Sequence, residues 1–132
     1  MSEQVERNRQ MVERVRANPQ DSRLLLLTTI GAKTGQHRTV PLIPLPDGDR
    51  IVVAAGGGGS PKNPDWYHNV VANPRVTVEL GAEKFEGTAT VVSGAERERL
   101  WSLIGERIPI TLEHQAKVDR QIPVIVLRRS TN

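Results

Sequence analysis

Apolar residues along the chain recur mostly at alternate positions or in short unbroken runs, and both patterns predict β-strands. Turn residues separate these segments closely, so the strands are expected to pair mainly antiparallel. About six strands of such lengths can curl into a small barrel with helices packed outside it. The fold class expected is therefore α+β, mainly β. The predicted strands cover residues 23–30, 37–45, 50–55, 75–80, 84–92 and 123–127.

The first helix is predicted over residues 3–17 and ends at Asn18-Pro19, where the chain can no longer continue a helix. Its apolar positions form only a thin stripe among polar residues, which indicates a loosely docked segment. We expect residues 1–20 to form a helical arm and residues 21–132 to form one domain. The stripe consists of Val5, Val12 and Val15.

Three later helices are predicted from capping residues and spacing. Asn63 is a favourable N-cap and Pro64 suits the first turn of a short helix that extends to about Val71. Residues 93–96 have the S-x-x-E spacing of a capping box, which predicts the start of another helix. A last helix is expected over residues 111–120. The capping-box helix should bury Leu100, Trp101, Leu103 and Ile104.

Composition excludes several kinds of site. The chain has 132 residues and no cysteine, which rules out disulfides, thiolate metal ligands and a cysteine nucleophile. The net charge of +3 is too small for a dedicated nucleic-acid binder. His37, His68 and His114 lack metal-ligand spacing, so no metal is expected. No apolar run approaches the roughly 18 residues of a membrane span, and the charged N-terminus does not resemble a signal peptide, so a cytoplasmic protein is expected.

The charge pattern indicates where an anion would bind. No acidic residue occurs between Ser22 and Pro46, a segment that contains Lys33 and Arg38. Further along, residues 56–59 are four consecutive glycines, which let a ligand approach the backbone closely. Together these features predict a cradle for a phosphate-bearing ligand, and the alternative is that the cations are ordinary solvated turn residues. Any demanding chemistry would then come from a bound cofactor.

Five segments, taken in order and spacing, resemble one known family. The run Pro61-Lys62-Asn63-Pro64-Asp65-Trp66-Tyr67-His68-Asn69 is the most specific of them. The chain is similar through these segments to the deazaflavin-dependent nitroreductases, which fold as split β-barrels and bind coenzyme F420, a deazaflavin with an anionic phospholactyl-oligoglutamate tail. The other segments are Leu27–Gly35, Arg38–Leu42, Ala72–Val76 and Arg120–Val124.

This resemblance implies an oxidoreductase that passes a hydride from reduced F420 to an electron-poor small molecule. The substrates implied are activated alkenes such as unsaturated lactones, coumarins and enones, together with quinones and nitroaromatics. Near the substrate pocket the chain departs from that family, because Thr111 and His114 replace tyrosines. We expect the Thr111 hydroxyl, His114 and exposed N–H groups of the glycine segment to be the donors to the charge that develops on the substrate, with His114 or water as the proton source. The cofactor-binding residues implied are Ala32, Lys33 and Thr34 at the tail phosphate, Arg38, Thr39, Val40 and Pro41, then Ala54, Ala55, Gly56 and Gly57, and finally Asp65, Trp66, Tyr67, His68 and Asn69.

Several alternatives remain open at this point. Split barrels also bind flavin mononucleotide or haem, so a relative that uses one of those cofactors is the main competitor. A protein that binds or carries the deazaflavin without catalysis is a second one. The chain is expected to be a monomer or a homodimer, and the N-terminal arm offers a peripheral contact with a membrane.

Overall fold

A single curled sheet of seven antiparallel strands forms the centre of the computed structural model. The structure describes residues 3–20 and 23–130, with side chains from Glu6 onward. The stripe residue Val5 and the boundary expected after residue 20 are not tested, because the Val5 side chain and residues 21 and 22 lie outside this description. The elements are α1 (Glu3–Ala17), β1 (Leu25–Ile30), β2 (His37–Leu42), β3 (Leu45–Asp47), β4 (Arg50–Ala54), a 3₁₀ turn (Gly57–Gly59), α2 (Asp65–Ala72), β5 (Arg75–Leu80), β6 (Glu83–Val91), α3 (Gly94–Arg107), α4 (Ile110–Ala116) and β7 (Val124–Arg129).

The order of strands shows why the sheet must curl. It runs β2-β1-β5-β6-β7-β4-β3, so β2 and β3 lie at opposite edges. These two strands are nevertheless joined by only Ile43 and Pro44, a link that can span about 11 Å at most. The two edges therefore approach each other without pairing, which produces a barrel with an open seam. The expected split β-barrel is confirmed.

The strand predicted over residues 37–45 is wrong in its second half. The chain leaves the sheet after Leu42 and enters it again at Leu45, on the opposite edge. Pro44 lies between the two strands and cannot donate a ladder hydrogen bond. This break raises the number of strands from the expected six to seven.

Alternation along the strands creates two separate hydrophobic cores. Val53 and Ile125 face the inside of the barrel, where Leu27 and helix α2 also pack. Their neighbours Val52 and Val124 face outward and are covered by Leu100 and Ile104 of α3. The predicted apolar face of α3 is thus confirmed, although Trp101 and Leu103 are only partly buried.

Helix α1 has the predicted bounds and covers the outer face of β1. Val12 and Val15 are buried against Leu26. At its end, Arg16 forms a bidentate pair with Glu79, with Nη2 2.8 Å from Oε2. Among the described helices, none is both long and apolar enough to span a membrane.

Neither predicted cap uses a side-chain hydrogen bond. Ser93 precedes α3 but does not cap it, and Glu96 instead accepts a hydrogen bond from Arg50 at 2.9 Å. Arg50 also pairs with Asp47, which in addition receives Nη2 of Arg99 at 3.0 Å. These guanidinium groups hold the pKa of Asp47 at about 2, well below its usual value. Because Glu96 bonds to Arg50 on β4, its side chain does not complete the predicted capping box.

Candidate active site

One end of the barrel collects nearly all the predicted site residues. The strand registers place Ile30 beside His37 and Ala54 beside Val124, and β5, which is antiparallel to β1, begins at Arg75 on the same end of the sheet. We call this the loop end, because the β1–β2 turn, the glycine segment, α2 and α4 all adjoin it. Antiparallel pairing thus brings together segments that are more than eighty residues apart in the chain.

The β1–β2 turn presents two cations to solvent. Gly31 donates to the carbonyl of Gln36 at 2.7 Å, and Gly35 closes the turn with a φ of 72°. Lys33 is exposed and forms no hydrogen bond or ion pair with any described residue, and exposed Arg38 donates only to the side chain of Gln36 at 3.1 Å. No described carboxylate neutralises these two charges. Ala32 and Thr34 are exposed in the same turn.

Asn69 ties this turn to α2. Its side chain is only 7% exposed. Its Oδ1 accepts the N–H of Ala32 at 3.0 Å, and its Nδ2 donates to Oγ1 of Thr29 at 3.0 Å. Both functional ends of the amide are therefore engaged by protein. Asn69 positions the turn that contains Lys33, and its place at a cofactor remains a prediction.

The run 38–41 is predicted to line the cofactor through its backbone groups, and its side chains alternate between the two faces of β2. Arg38 and Val40 lie on the face of β2 that turns toward the core, since Val40 packs against the inner cluster. Thr39 and Pro41 lie on the opposite face, where Thr39 Oγ1 is 2.7 Å from Oγ1 of Thr28. Because β2 is an edge strand, one row of its backbone groups remains outside the ladder and available to a ligand.

The glycine segment follows β4 and adopts a conformation that favours glycine. Ala54 is half-buried, Ala55 is fully buried and Gly56 is buried, whereas Gly57 is exposed. Residues 57–59 form a 3₁₀ turn with φ angles of 58°, 67° and 87°. Residues other than glycine are strained at these positive φ angles. The expected cradle is thus a defined turn and not a flexible linker.

Helix α2 has one face packed in the core and one face exposed to solvent. Trp66 is only 5% exposed and packs into the inner core, where Tyr67 is partly buried. Asp65 and His68 are exposed on the other side. The predicted cap at Asn63 is wrong: the helix begins at Asp65, after Pro64, and the Asn63 side chain accepts a hydrogen bond from Arg120.

Helix α4 packs directly on the glycine segment. A Cβ at Gly56 would lie 3.5 Å from Nδ1 of His114, so the glycine leaves the imidazole adjacent to the loop. Thr111, one turn earlier, is only 7% exposed. The helix ends at Ala116, four residues before its predicted end, and Lys117 reaches across to Gly59, where a Cβ would lie 3.2 Å from Lys117 Cδ.

Sequence reasoning missed the residues that hold the loop end together. Arg120 donates hydrogen bonds to the glycine segment and to Asn63. Gln115 donates to the carbonyl of Arg120 at 2.7 Å and accepts the N–H of Ile122 at 2.9 Å. Arg120 opens the last of the five resembling segments, which was the available signal. Nothing local in the sequence distinguishes Gln115.

The donor set fits an anionic, planar cofactor. Two unneutralised cations, a glycine backbone that admits close approach and the free edge of β2 lie at one end of the barrel. These features match the charged tail and the polar ring edge of a deazaflavin. Among residues 3–20 and 23–130, no group of three or more His, Asp or Glu side chains is arranged to hold a metal ion.

Comparison with known proteins identifies what this chain is similar to. The family model described as F420H(2)-dependent quinone reductase matches residues 1–129. An F420H(2)-dependent quinone reductase of Mycobacterium tuberculosis is 42% identical over 108 residues, which cover 80% of this chain and 72% of that protein. The solved structure of an F420-H2 dependent reductase, FDR-A, has a TM-score of 0.74 and 42% identity, covering 80% of this chain and 94% of its own. A structure described as a domain-swapped dimer has a TM-score of 0.76 and 38% identity, covering 91% and 96%.

Proposed function

Because this chain belongs to the F420H(2)-dependent quinone reductase family, we propose that its loop end binds reduced F420 and a quinone side by side for hydride transfer. The chain is an F420-dependent reductase, and coenzyme F420 is its cofactor. The observation that carries the proposed site is the placement of Lys33, Arg38 and the glycine segment at one end of the barrel. When bound, the reduced deazaflavin supplies the hydride.

The protein's own contribution is binding and orientation. Lys33 and Arg38 would attract the phosphate and carboxylates of the tail, because neither cation has a described carboxylate partner. Backbone groups of β2 and of the glycine segment would bind the polar edge of the ring. Ordered backbone donors that need no rearrangement are effective at stabilising charge that develops during a reaction.

The substrate range proposed here is wider than quinones. Quinones, nitroaromatics and activated alkenes such as enones, unsaturated lactones and coumarins all accept a hydride and gain negative charge as they do so. A site that stabilises this charge through fixed donors does not depend on the carbon skeleton of the acceptor. We also propose a homodimer as the assembly, which is supported by the similar structure described as a domain-swapped dimer.

A paired binding and turnover measurement tests this function. We expect saturable binding of oxidised F420, followed by fluorescence, and weaker or no binding of flavin mononucleotide. We then expect oxidation of reduced F420 when a soluble naphthoquinone is added, and slower oxidation with a nitroaromatic and with coumarin. Tighter binding of flavin mononucleotide than of F420 would contradict the proposed site, and tight F420 binding with no turnover of any acceptor would support a carrier.

His114 is the proposed proton donor, with Thr111 as a second hydrogen-bond donor. The imidazole borders Gly56 and is half-buried, so it lies beside the proposed site and remains reachable. We expect His114→Gln to lower kcat for the quinone by roughly 100-fold, the low end of general acid contributions, with little change in F420 affinity. Lys84→Gln, at an exposed residue of β6 beside the β5–β6 turn and therefore at the opposite end of the barrel, is the control and should leave kcat unchanged. An unchanged kcat at saturating quinone would remove His114 from the mechanism.

A further inference from the structure

Arg120 makes an unusual number of contacts with one short segment. Its Nε donates to the carbonyl of Ser60 at 3.1 Å, and its Nη2 donates to the carbonyl of Gly56 at 2.9 Å. Its Nη1 donates to the carbonyl of Ala55 at 3.2 Å and to Oδ1 of Asn63 at 2.6 Å. One guanidinium group therefore binds both ends of the glycine segment and Asn63, two residues before α2.

These contacts determine which way the peptide groups of the segment point. In a trans peptide, the carbonyl of one residue and the N–H of the next point in opposite directions. Since the carbonyls of Ala55 and Gly56 point at Arg120, the N–H groups of Gly56 and Gly57 point away from it. Neither N–H has an acceptor among the described residues, whereas the N–H groups of Gly59 and Ser60 close the turn at 3.0 and 3.2 Å.

The main chain that carries Arg120 is itself held from two helices. Gln115 of α4 donates to the carbonyl of Arg120 and accepts the N–H of Ile122, which fixes the chain immediately after Arg120. Arg97 of α3 donates to the carbonyl of Ile122 at 2.6 Å. No carboxylate in the described part of the chain pairs with Arg120, so its positive charge also remains unneutralised beneath the loop.

We propose that Arg120 is a positioning residue for the cofactor: it turns the N–H groups of Gly56 and Gly57 toward the ligand and keeps them there. This inference rests on the proposed function of the loop end. A lysine could not replace it, because one ammonium nitrogen cannot reach four acceptors on two segments. The fit is close, since a Cβ at Gly57 would lie 3.7 Å from Nη2 of Arg120.

The test compares Arg120→Lys with wild type, and uses Arg99→Lys as the control. Arg99 also donates to a side chain on a neighbouring element, but at the opposite end of the barrel. In the cofactor-free protein, we expect NMR hydrogen exchange of the Gly59 and Ser60 amides to accelerate about tenfold or more in Arg120→Lys. The amides of the β5–β6 pair should not change. The Kd for F420 should rise roughly tenfold, as expected when charge-assisted hydrogen bonds are lost.

Two results for Arg120→Lys would overturn the proposal. Unchanged exchange at Gly59 and Ser60 would show that Arg120 does not hold the loop. Faster exchange with an unchanged Kd would show a purely structural role. If wild-type protein itself fails to bind F420, the proposed function fails first, and the wild-type titration identifies that case. As a second variant, Arg120→Ala should regain F420 affinity with millimolar methylguanidinium and not with ammonium, and failure of this rescue would also contradict the proposal.

Discussion

Replacing Trp66 by alanine should lower the free energy of unfolding by about 3–5 kcal/mol, the usual cost of removing a large buried aromatic side chain. The indole is only 5% exposed and packs inside the barrel with Leu27 and Val70. Folded domains are typically stable by only about 5–15 kcal/mol, so this loss is a large share of the total. Urea unfolding followed by circular dichroism measures it.

The same helix provides the control for Trp66. His68 lies two residues away and is exposed, so His68→Ala should change stability by less than about 0.5 kcal/mol. Trp66→Phe, which retains most of the packing, keeps the test interpretable if the alanine variant does not fold. Near-normal stability of Trp66→Ala combined with loss of F420 binding would instead assign the indole to the cofactor site.

Replacing Lys33 by alanine should raise the Kd for F420 roughly 10- to 100-fold, the loss expected for a hydrogen bond between charged groups. Lys33 is exposed and forms no bond with a described residue, so its removal should leave the unfolding free energy nearly unchanged. Fluorescence titration of oxidised F420 gives the Kd. The wild-type affinity should also fall with rising salt, because added ions screen an exposed cation.

Lys84→Ala is the matched control for Lys33. Lys84 is an exposed lysine of β6 beside the β5–β6 turn, at the end of the barrel opposite the loop end. Its removal changes the net charge equally but should leave the Kd for F420 within about twofold of wild type, given its distance and salt screening. Equal Kd values for the two variants would show that Lys33 acts only through overall charge and makes no direct contact.

The two cases of mistaken capping show where prediction from sequence stops. Asn63 and the Ser93–Glu96 box both have the residue types that cap helices, and both helices form within two residues of the expected start. In the folded chain, Arg120 binds Asn63 and Arg50 binds Glu96. In both cases a guanidinium from a distant element binds the side-chain oxygen that would otherwise accept a local backbone N–H. No local pattern in the sequence indicates which distant element will lie beside a given cap.

The residues of the cofactor site also divide into those that the sequence predicted and those whose roles only the structure shows. The charge pattern predicted the glycine segment and the cations Lys33 and Arg38 as a cradle, the resemblance agreed, and the structure brings them to one end of the barrel. Neither could show that Asn69 uses both ends of its amide to hold the turn that contains Lys33. The role of Asn69 follows from its burial and from hydrogen bonds to residues 37 and 40 positions away in the chain.

The sequence by itself determined what depends on near neighbours: the antiparallel strands, the apolar face of α3, the glycine turn and the run of residues that marks the F420-dependent family. The tertiary structure alone decided that the strand after His37 breaks at Pro44 and crosses to the other edge, and that Arg120 reaches the glycine segment. The physical reason is the distance along the chain over which each kind of interaction acts. Periodicity and turn residues act over a few positions, whereas the closing of the barrel depends on which distant surfaces bury each other.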